Sequence, residues 1–330
     1  MIENYRSRIE TLHAALEQHF NSLSIGGHPE ELYEPVNYLM GIGGKRIRPL
    51  FVLLAYSLYK EEYEKILTPA FAVEMFHNFT LMHDDIMDDA PLRRGQASVH
   101  EKWDRNTAIL SGDVMLVKVY DMLLEVPGDK LALCLKYFNR TAAEVCEGQQ
   151  LDMNFESRKE VTEAEYLNMI RLKTAVLLGF SLFFGAVLAD APLEEAQKLY
   201  DFGVNIGIGF QLKDDLLDVY AENSKFGKQV GGDIISNKKT YLLIKARELA
   251  QGEEAEGLAY WAESQNFDKT EKVQAVTSLY NAMGIKTITE AKMEAYFEQG
   301  FRQLSLLKHV NQDVAEALDF FARELVNREH

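Results

Sequence analysis

The chain has 330 residues, with 35 Lys plus Arg against 51 Asp plus Glu, a net charge of −16, and 47% hydrophobic residues. That apolar fraction supports a large buried core and excludes general disorder. The negative charge argues against a nucleic-acid-binding protein, because such proteins need a basic face that displaces counterions. If the substrate is an anion, cations must lie between it and the protein.

The cysteine content and the N-terminus indicate a cytoplasmic location. Cys134 and Cys146 make no disulfide framework, which is typical of a reducing compartment. Charged residues occupy positions 1–10, where a signal peptide needs an apolar run. We therefore expect no export.

The longest apolar stretch, 175–189, has 15 residues. A transmembrane helix needs roughly 18–20, so we expect a buried core helix and no transmembrane segment. Its small residues Gly179, Ser181 and Gly185 would let a neighbouring helix approach closely.

Hydrophobic residues recur at helical spacing along almost the whole chain, as in Leu12, Leu16 and Phe20. Alternating runs typical of strands are hard to find. We predict an all-α protein with roughly ten to twelve helices and one domain over residues 1–330.

Several helix boundaries are readable. Thr162–Glu165 has the pattern of a capping box. Thr68 before Pro69, and Asp190 before Pro192, predict capping side chains beside a first-turn proline. The predicted breaks lie at Pro91, at Pro127-Gly128 and in the glycine-rich stretch 226–232.

Two aspartate clusters, 130 residues apart, share the pattern Asp-Asp-x-x-Asp after an apolar helical segment. The first cluster is Asp84, Asp85 and Asp88, and the second cluster is Asp214, Asp215 and Asp218. Carboxylates four residues apart share a helix face, where they repel each other. Mg²⁺ removes this repulsion and completes its coordination with water and phosphate oxygens. Two facing clusters would bind a diphosphate, although solvated helix ends are the alternative.

Cationic residues lie beside both clusters in an otherwise acidic chain. They are Lys45 and Arg48, Arg93 and Arg94, Lys173, Lys228, and Lys238 with Lys239. Such bases indicate a second anion site or a clamp on a leaving group. Isolated arginine pairs are more often plain surface.

His83 beside Asp84 suggests another reaction, metal-dependent phosphate hydrolysis in a helical protein. Such a site needs further histidines, and the others are scattered. A histidine packed next to the site is the favoured interpretation.

Together these motifs resemble the trans-prenyltransferases of the polyprenyl synthetase family over nearly the whole chain. The matching blocks, in order, are 43–49 (Gly-Gly-Lys-x-x-Arg-Pro), 77–88, Arg93-Arg94-Gly95, Gly148-Gln149-x-x-Asp152, Lys173-Thr174, 210–218, Gly227-Lys228 and Gly232-Asp233-Ile234. Each block is weak alone, but eight in order are specific.

The resemblance implies the isoprenoid synthase fold, all-α, with helices around a central cavity and usually a homodimer. It implies head-to-tail condensation of isopentenyl diphosphate with an allylic diphosphate, which releases pyrophosphate. The expected product is a short all-trans prenyl diphosphate of the farnesyl or geranylgeranyl type, with a leaning toward the longer, C20 chain. The expected cofactor is Mg²⁺, three ions per site.

The resemblance also implies roles for individual residues. Both aspartate clusters would hold Mg²⁺ on the allylic diphosphate, with Asp215 and Asp218 acting partly through water. The expected allylic diphosphate contacts are Arg93, Lys173, Lys228 and Lys238, and the expected isopentenyl diphosphate contacts are Lys45, Arg48, His77 and Arg94. Thr174 and Gln211 would line the region of the carbocation. Two points stay open, namely whether Lys238 or Lys239 makes the phosphate contact and what Lys213 does.

Product length is expected to depend on bulk upstream of Asp84. One helical turn rises about 5.4 Å, roughly one isoprene unit. Phe79, Thr80 and Phe76 lie five, four and eight residues before Asp84. In the family, an aromatic residue five positions before the first aspartate is similar to a feature of short-chain synthases. The absence of a second aromatic residue at Thr80 favours the C20 product over the C15 product. The alternative is that both phenylalanines are ordinary core.

Two other classes share the fold. A class I terpene cyclase would carry a different second metal motif and would not need Lys45 and Arg48. A non-catalytic subunit of a heteromeric synthase would tend to lose an aspartate motif, whereas both are intact here.

Overall fold

The computed structural model describes residues 2–221 and 231–327, and these residues are predominantly helical. Sixteen α-helices occur among them: α1 (Ile2–Ser22), α2 (Glu30–Gly41), α3 (Ile47–Ser57), α4 (Leu67–Met87), α5 (Val99–Lys102), α6 (Arg105–Leu123), α7 (Gly128–Ser157), α8 (Glu163–Ile170), α9 (Val176–Leu188), α10 (Leu193–Tyr220), α11 (Gly232–Ile235), α12 (Tyr241–Leu249), α13 (Glu253–Glu263), α14 (Lys269–Ala282), α15 (Ile285–Ser305) and α16 (Gln312–Asn327). The all-α prediction is confirmed. The count exceeds ten to twelve partly because single-turn helices such as α5 and α11 carry no readable periodicity.

Four short elements complete the description of these residues. A 3₁₀ turn covers Tyr63–Ile66, and a π-helical turn, Arg171–Ala175, joins α8 to α9. The strands of the described residues are β1 (Leu92–Arg93) and β2 (Gln96–Ala97), which pair antiparallel with Arg93 opposite Gln96.

The chain divides into two compact units. The first unit comprises residues 1–140, 180–200 and 307–321, and the second comprises 141–179, 201–306 and 322–330. Each unit is built from three separate stretches, so neither is a contiguous domain. The single domain over 1–330 remains a prediction.

The core of the first unit forms around α3, α4 and α6. Every residue of α3 from Pro49 to Ser57 is buried. α4 packs against both α3 and α6, and its buried Phe76 ring lies 5.1 Å from the ring of Phe138. On α9, Gly185 packs against the α3 backbone so closely that a side chain there would collide with Val52. The small-residue prediction is confirmed at this glycine.

Among the described residues of the second unit, two hydrophobic clusters each include a leucine of α10. One cluster includes Tyr166, Leu212 and Tyr241, and the other includes Leu216 and Tyr280.

A second predicted small residue also lies at a close helix contact. A Cβ atom added to Gly203 on α10 would lie 2.8 Å from the Cα atom of Gly179. This approach requires a small residue at both positions.

The predicted boundaries are partly confirmed. Thr162 and Glu165 form the reciprocal capping box at the start of α8. Thr68 as a cap is wrong, because α4 begins one residue earlier, at Leu67. A proline is tolerated in the first helical turn, where its missing N–H is not needed. The Thr68 hydroxyl instead lies 3.3 Å from Nε2 of His19.

Asp190 does not stand at the helix boundary, because α10 begins three residues later, at Leu193. Its carboxylate forms ion pairs with Lys60 and Lys130. The predicted break at 226–232 lies mostly outside the described residues, which resume at 231.

Within the described parts of the chain, the helical run 163–188 is long and apolar enough to cross a membrane by length and composition. Of its most apolar 18-residue window, 83% is buried in the protein. This is the burial of a core helix, as the sequence predicts for the stretch 175–189.

Candidate active site

The first aspartate cluster lies at the C-terminal end of α4. The Asp88 N–H donates to the Asp84 carbonyl at 2.9 Å, which continues the last turn. Asp84 is half-buried and Asp88 is exposed. The C-terminal end of a helix is the negative end of its dipole, where carboxylates are unfavourable and cations are stabilised. This position therefore favours a bound cation.

Asp85 points the other way and is 1% exposed. Arg93 from β1 donates through Nε to the Asp85 Oδ1 atom at 3.0 Å and makes a second bond through Nη2. Burial raises the pKa of Asp85, and the bonds from Arg93 oppose this rise. The Arg93 Nη2 atom also lies 3.9 Å from Asp84. One arginine thus joins the strand pair to two members of the cluster.

The turn between β1 and β2 directs the side chains of Arg93 and Arg94 to different partners. Arg94 and Gly95 both have positive φ, 51° and 77°, which suits a tight hairpin. Arg94 reaches the loop before α3, where a Cβ atom on Gly44 would lie 2.7 Å from its Nη1 atom. Only glycine leaves room for this guanidinium, and the φ of 151° at Gly44 also favours glycine.

Two arginines, Arg48 and Arg94, lie close to His77, and we call these three residues the arginine pocket. Burial and the charges of Arg48 and Arg94 lower the pKa of His77 well below its usual value, so its imidazole is neutral. Burial also lowers the pKa of Arg48 to about 10. The Arg48 Nε atom is buried without a hydrogen-bond partner among the described residues. Lys45 is exposed on the loop just before this helix.

A set of buried polar side chains that the sequence does not predict supports the arginine pocket. Buried Arg46 donates to Glu74 Oε1 at 2.9 Å and to the Met40 carbonyl at 2.8 Å. Asn78 donates to the Glu74 carbonyl at 2.8 Å. Glu74 supplies negative charge close to Arg48 and Arg94 as well. A lone glutamate within an apolar helical run was the signal in the sequence.

The second aspartate cluster occupies the last two turns of α10. Asp214 is exposed, whereas Asp215 is 4% exposed. The Tyr166 hydroxyl donates to Asp215 Oδ2 at 2.5 Å, and the Tyr241 N–H donates to the same atom at 3.3 Å. Burial raises the pKa of Asp215 to about 7, against the effect of the Tyr166 bond. In both clusters the first aspartate therefore keeps accessible surface, whereas the second is buried.

Asp218 holds the segment that follows. Its Oδ2 atom accepts from the Asp233 N–H at 3.0 Å, and its carbonyl accepts from the Gly231 N–H at 2.6 Å. The carboxylate thereby fixes the start of α11 beside the second cluster.

Lys173 and Thr174 lie on the π-helical turn. The Lys173 Nζ atom donates to Asp152 at 2.8 Å, and a side chain at Gly148 would collide with the Lys173 backbone. The Thr174 hydroxyl donates to Gln211 Oε1 at 3.3 Å. π-helical turns are frequent at functional sites. The structure thus places Thr174 beside Gln211, and it places Lys173 against both Gly148 and Asp152.

The remaining lysines near the second cluster make different contacts. Lys239 donates to the Glu156 carbonyl at 2.9 Å, whereas the charge of Lys238 opposes the rise in the pKa of Asp215. Lys213 donates to the Val326 carbonyl at 2.5 Å, in the last turn of α16. Lys228 lies outside the described residues.

His83 is used in packing. Its Nε2 atom lies 3.2 Å from the Ile109 carbonyl, and its ring lies 4.8 Å from that of Phe79. Within residues 2–221 and 231–327, no group of three or more His, Cys, Asp or Glu side chains is arranged to hold a metal. The packing contacts favour a structural role for His83 over a hydrolase ligand.

The three chain-length candidates have different environments. Phe76 is buried in the core. Phe79 is half-buried, with its ring 5.7 Å from that of Phe76, and the Thr80 hydroxyl donates to the His77 carbonyl at 2.7 Å. Phe79 and Thr80 are therefore the candidates that retain exposed surface.

Fold and site together define a class of protein: an all-α chain with two aspartate clusters at helix ends and a separate group of arginines, Arg48 and Arg94, around His77. A model of the polyprenyl synthetase family matches residues 29–281. The chain therefore belongs to the polyprenyl synthetase family and is a prenyltransferase, as the sequence predicts.

Individual relatives agree with this placement. A geranylgeranyl diphosphate synthase from Methanosarcina mazei is 41% identical over 250 residues, 75% of this chain and 76% of the relative. A geranylfarnesyl diphosphate synthase from Natronomonas pharaonis is 36% identical over 321 residues, 92% of this chain and 91% of the relative. A crystal structure of a geranylgeranyl pyrophosphate synthase superposes with a TM-score of 0.92 at 41% identity and covers 97% of this chain and 98% of its own.

Proposed function

We propose that this prenyltransferase condenses isopentenyl diphosphate with an allylic diphosphate and that its main product is geranylgeranyl diphosphate. The observation that carries the proposal is the presence of two chemically different groups of charged side chains, each of which could bind a diphosphate, one directly and one through a metal ion. One is the arginine pocket, in which the Arg48 Nε atom is buried without a hydrogen-bond partner in the part of the chain that the structure describes, and the other is built from aspartates at helix ends. A reaction that joins two diphosphates needs two such sites.

The accessible aspartates of the two clusters are chemically suited to bind magnesium. Asp84, Asp88 and Asp214 offer hard oxygen ligands at the negative ends of helices, where a cation is favoured. We assign these three as ligands, with Asp85, Asp215 and Asp218 as support. When bound, Mg²⁺ would neutralise negative charge that grows on the departing pyrophosphate.

The cationic residues act on the same charge. Arg93 and Lys173, with Lys228 and Lys238, would bind the allylic diphosphate and stabilise the pyrophosphate as the C–O bond breaks. Arg93 and Lys173 are already held by Asp85 and Asp152, so they need little reorganisation when substrate binds.

The arginine pocket would position the second substrate. Arg48, Arg94 and Lys45 supply positive charge, and neutral His77 supplies a hydrogen bond without further repulsion among cations. Positioning matters because the isopentenyl double bond must lie at attack distance when the carbocation forms.

Thr174 and Gln211 would face the carbocation. Their side chains are linked by the 3.3 Å hydrogen bond, which fixes the Gln211 amide oxygen. An oriented oxygen dipole stabilises positive charge without acting as a base or nucleophile. Excluding water then prevents hydrolysis of the cation.

The product assignment rests on Phe79 and Thr80. A half-buried aromatic ring about one turn before Asp84 limits the chain, and the small Thr80 leaves more room than a second aromatic would. The relatives named for geranylgeranyl diphosphate favour the same product.

We also propose a homodimer in the cytoplasm. α6 exposes Leu110 at 59% and Val117 at 58%, and Leu124, the C-cap residue directly after α6, is 63% exposed, so the three lie seven residues apart. A heptad-spaced apolar stripe is typical of a helix that packs against another helix. We call these three residues the α6 stripe.

The proposal is tested by incubating the purified protein with Mg²⁺, labelled isopentenyl diphosphate and each of dimethylallyl, geranyl and farnesyl diphosphate. We expect chain extension, a geranylgeranyl product, and loss of activity with a chelator. Cyclised hydrocarbon would indicate a terpene cyclase, and release of phosphate alone would indicate a hydrolase. No turnover with any primer would indicate a non-catalytic subunit.

A further inference from the structure

A buried lysine that the proposed chemistry does not use lies behind the turn between α11 and α12. Lys272 on α14 is 1% exposed. Its Nζ atom donates to Asn237 Oδ1 at 2.8 Å and to the Ile235 carbonyl at 3.2 Å, and it lies 4.3 Å from the centre of the Phe267 ring. Lysine is almost never fully buried unless paired. None of these three partners is a carboxylate, so the cost of burial points to a specific task.

The contacts of Lys272 fix one turn. Asn237 has a φ of 55°, in the left-handed region. Its side chain is held at both ends, because Oδ1 accepts from Lys272 and Nδ2 donates to the Ala262 carbonyl at 3.2 Å. The Ile235 carbonyl at the end of α11 is satisfied by the same ammonium.

The next residue is Lys238, one of the proposed diphosphate contacts. Its N–H donates to the Asp233 carbonyl at 2.9 Å, and its carbonyl accepts from the Thr240 N–H at 2.9 Å. Its side chain is exposed, and its charge acts on Asp215 of the second cluster. The backbone direction at Asn237 therefore sets where the Lys238 side chain leaves the backbone.

We propose that Lys272 is a positioning residue that holds the Asn237 turn, so that Lys238 reaches the allylic diphosphate. Lys272 acts through Lys238 and does not touch the substrate. The inference rests on the proposed function, which assigns Lys238 to that diphosphate.

The first test is Lys272→Met, which keeps the apolar stem and removes the ammonium. We expect the KM for the allylic diphosphate to rise about tenfold, because a displaced cation loses its contact. The KM for isopentenyl diphosphate should change by less than about twofold, since the arginine pocket is untouched. The matched control is Lys269→Met, an exposed lysine three residues earlier on the same helix, which should match the wild type.

A double-mutant cycle separates positioning from general destabilisation. In a Lys238→Met background, Lys272→Met should add less than about twofold to the allylic KM, because the positioned group is already gone. Should Lys272→Met fail to fold, Asn237→Gly accommodates the left-handed backbone and removes both the Oδ1 acceptor of Lys272 and the Nδ2 donor to the Ala262 carbonyl. That variant should raise the allylic KM about threefold.

The inference would be overturned if Lys272→Met changed both KM values equally or left the KM for the allylic diphosphate at the wild-type value. It would also be overturned if the effects of Lys272→Met and Lys238→Met on that KM multiplied in the double variant. These outcomes require an active wild-type enzyme. A wild-type protein that does not extend any primer would overturn the proposed function itself, so the two failures are distinguishable.

Discussion

At the scale of single residues, the aspartates within each cluster have different environments and different roles. The first aspartate of each cluster stays accessible, while the second is buried and held by a donor from another element, Arg93 for Asp85 and Tyr166 for Asp215. Successive helix residues are about 100° apart, so adjacent carboxylates cannot serve the same face. The buried member orients the helix end, and the accessible member is left for the cation.

His77 gives a pH-dependent prediction. The folded protein keeps its imidazole neutral, with a pKa well below 6.5, whereas the unfolded chain binds a proton below about pH 6.5. The contribution to stability is therefore fully present above pH 6.5 and is lost as the pH falls below it. Urea unfolding should show that wild type loses up to about 2 kcal/mol more than His77→Gln between pH 6.5 and 5. Parallel losses in the two proteins would contradict a neutral His77.

Phe79 and Thr80 give a prediction about product length. Phe79→Ala removes the half-buried ring and should shift the products toward longer chains, because about one more isoprene unit fits per helical turn. Thr80→Phe adds bulk one position nearer Asp84 and should shift them toward farnesyl diphosphate. Chromatography of the dephosphorylated products measures both shifts. An unchanged distribution in Phe79→Ala would remove Phe79 as a determinant of length.

At the scale of elements, the sequence predicts helices, the two clusters and most of their cationic neighbours. The spacing of four between Asp84 and Asp88 needs only local geometry. Spacing alone does not predict that Arg46 is buried and that Arg48 is left for the proposed substrate contact. The contacts of the Arg46 guanidinium with Glu74 and Met40, which lie on other helices, decide this. Likewise no local signal predicts the π-helical turn at Lys173, which depends on the close approach of Gly148.

The α6 stripe gives a prediction about assembly. Val117→Glu places a charge in the middle of the apolar stripe and should convert a dimer to a monomer, because a buried unpaired charge is costly. Light scattering after size exclusion would measure the mass against the 37.6 kDa chain. The control is Asp121→Asn on the same helix, an exposed residue that pairs with Lys118. An unchanged dimer in Val117→Glu would place the interface elsewhere.

At the scale of the whole molecule, the net charge of −16 does not prevent the binding of anions, because the charges are segregated. Cations that would meet the isopentenyl substrate are gathered in the arginine pocket over Glu74. Carboxylates that would hold metal are gathered at two helix ends. The family match over residues 29–281 includes both aspartate clusters and the arginine pocket.

The central claim is that two aspartate clusters 130 residues apart serve one diphosphate. The most direct measurement is a double-mutant cycle of kcat/KM for the allylic diphosphate with Asp84→Asn, Asp214→Asn and the pair. Each single variant should lose about 10²–10³-fold, and the pair should lose little more than the worse single, because residues that act as a unit are not additive. Asp89→Asn, an exposed neighbour bound to Arg105, should keep wild-type activity. Losses that multiply in the pair, or a single variant with wild-type activity, would contradict the account.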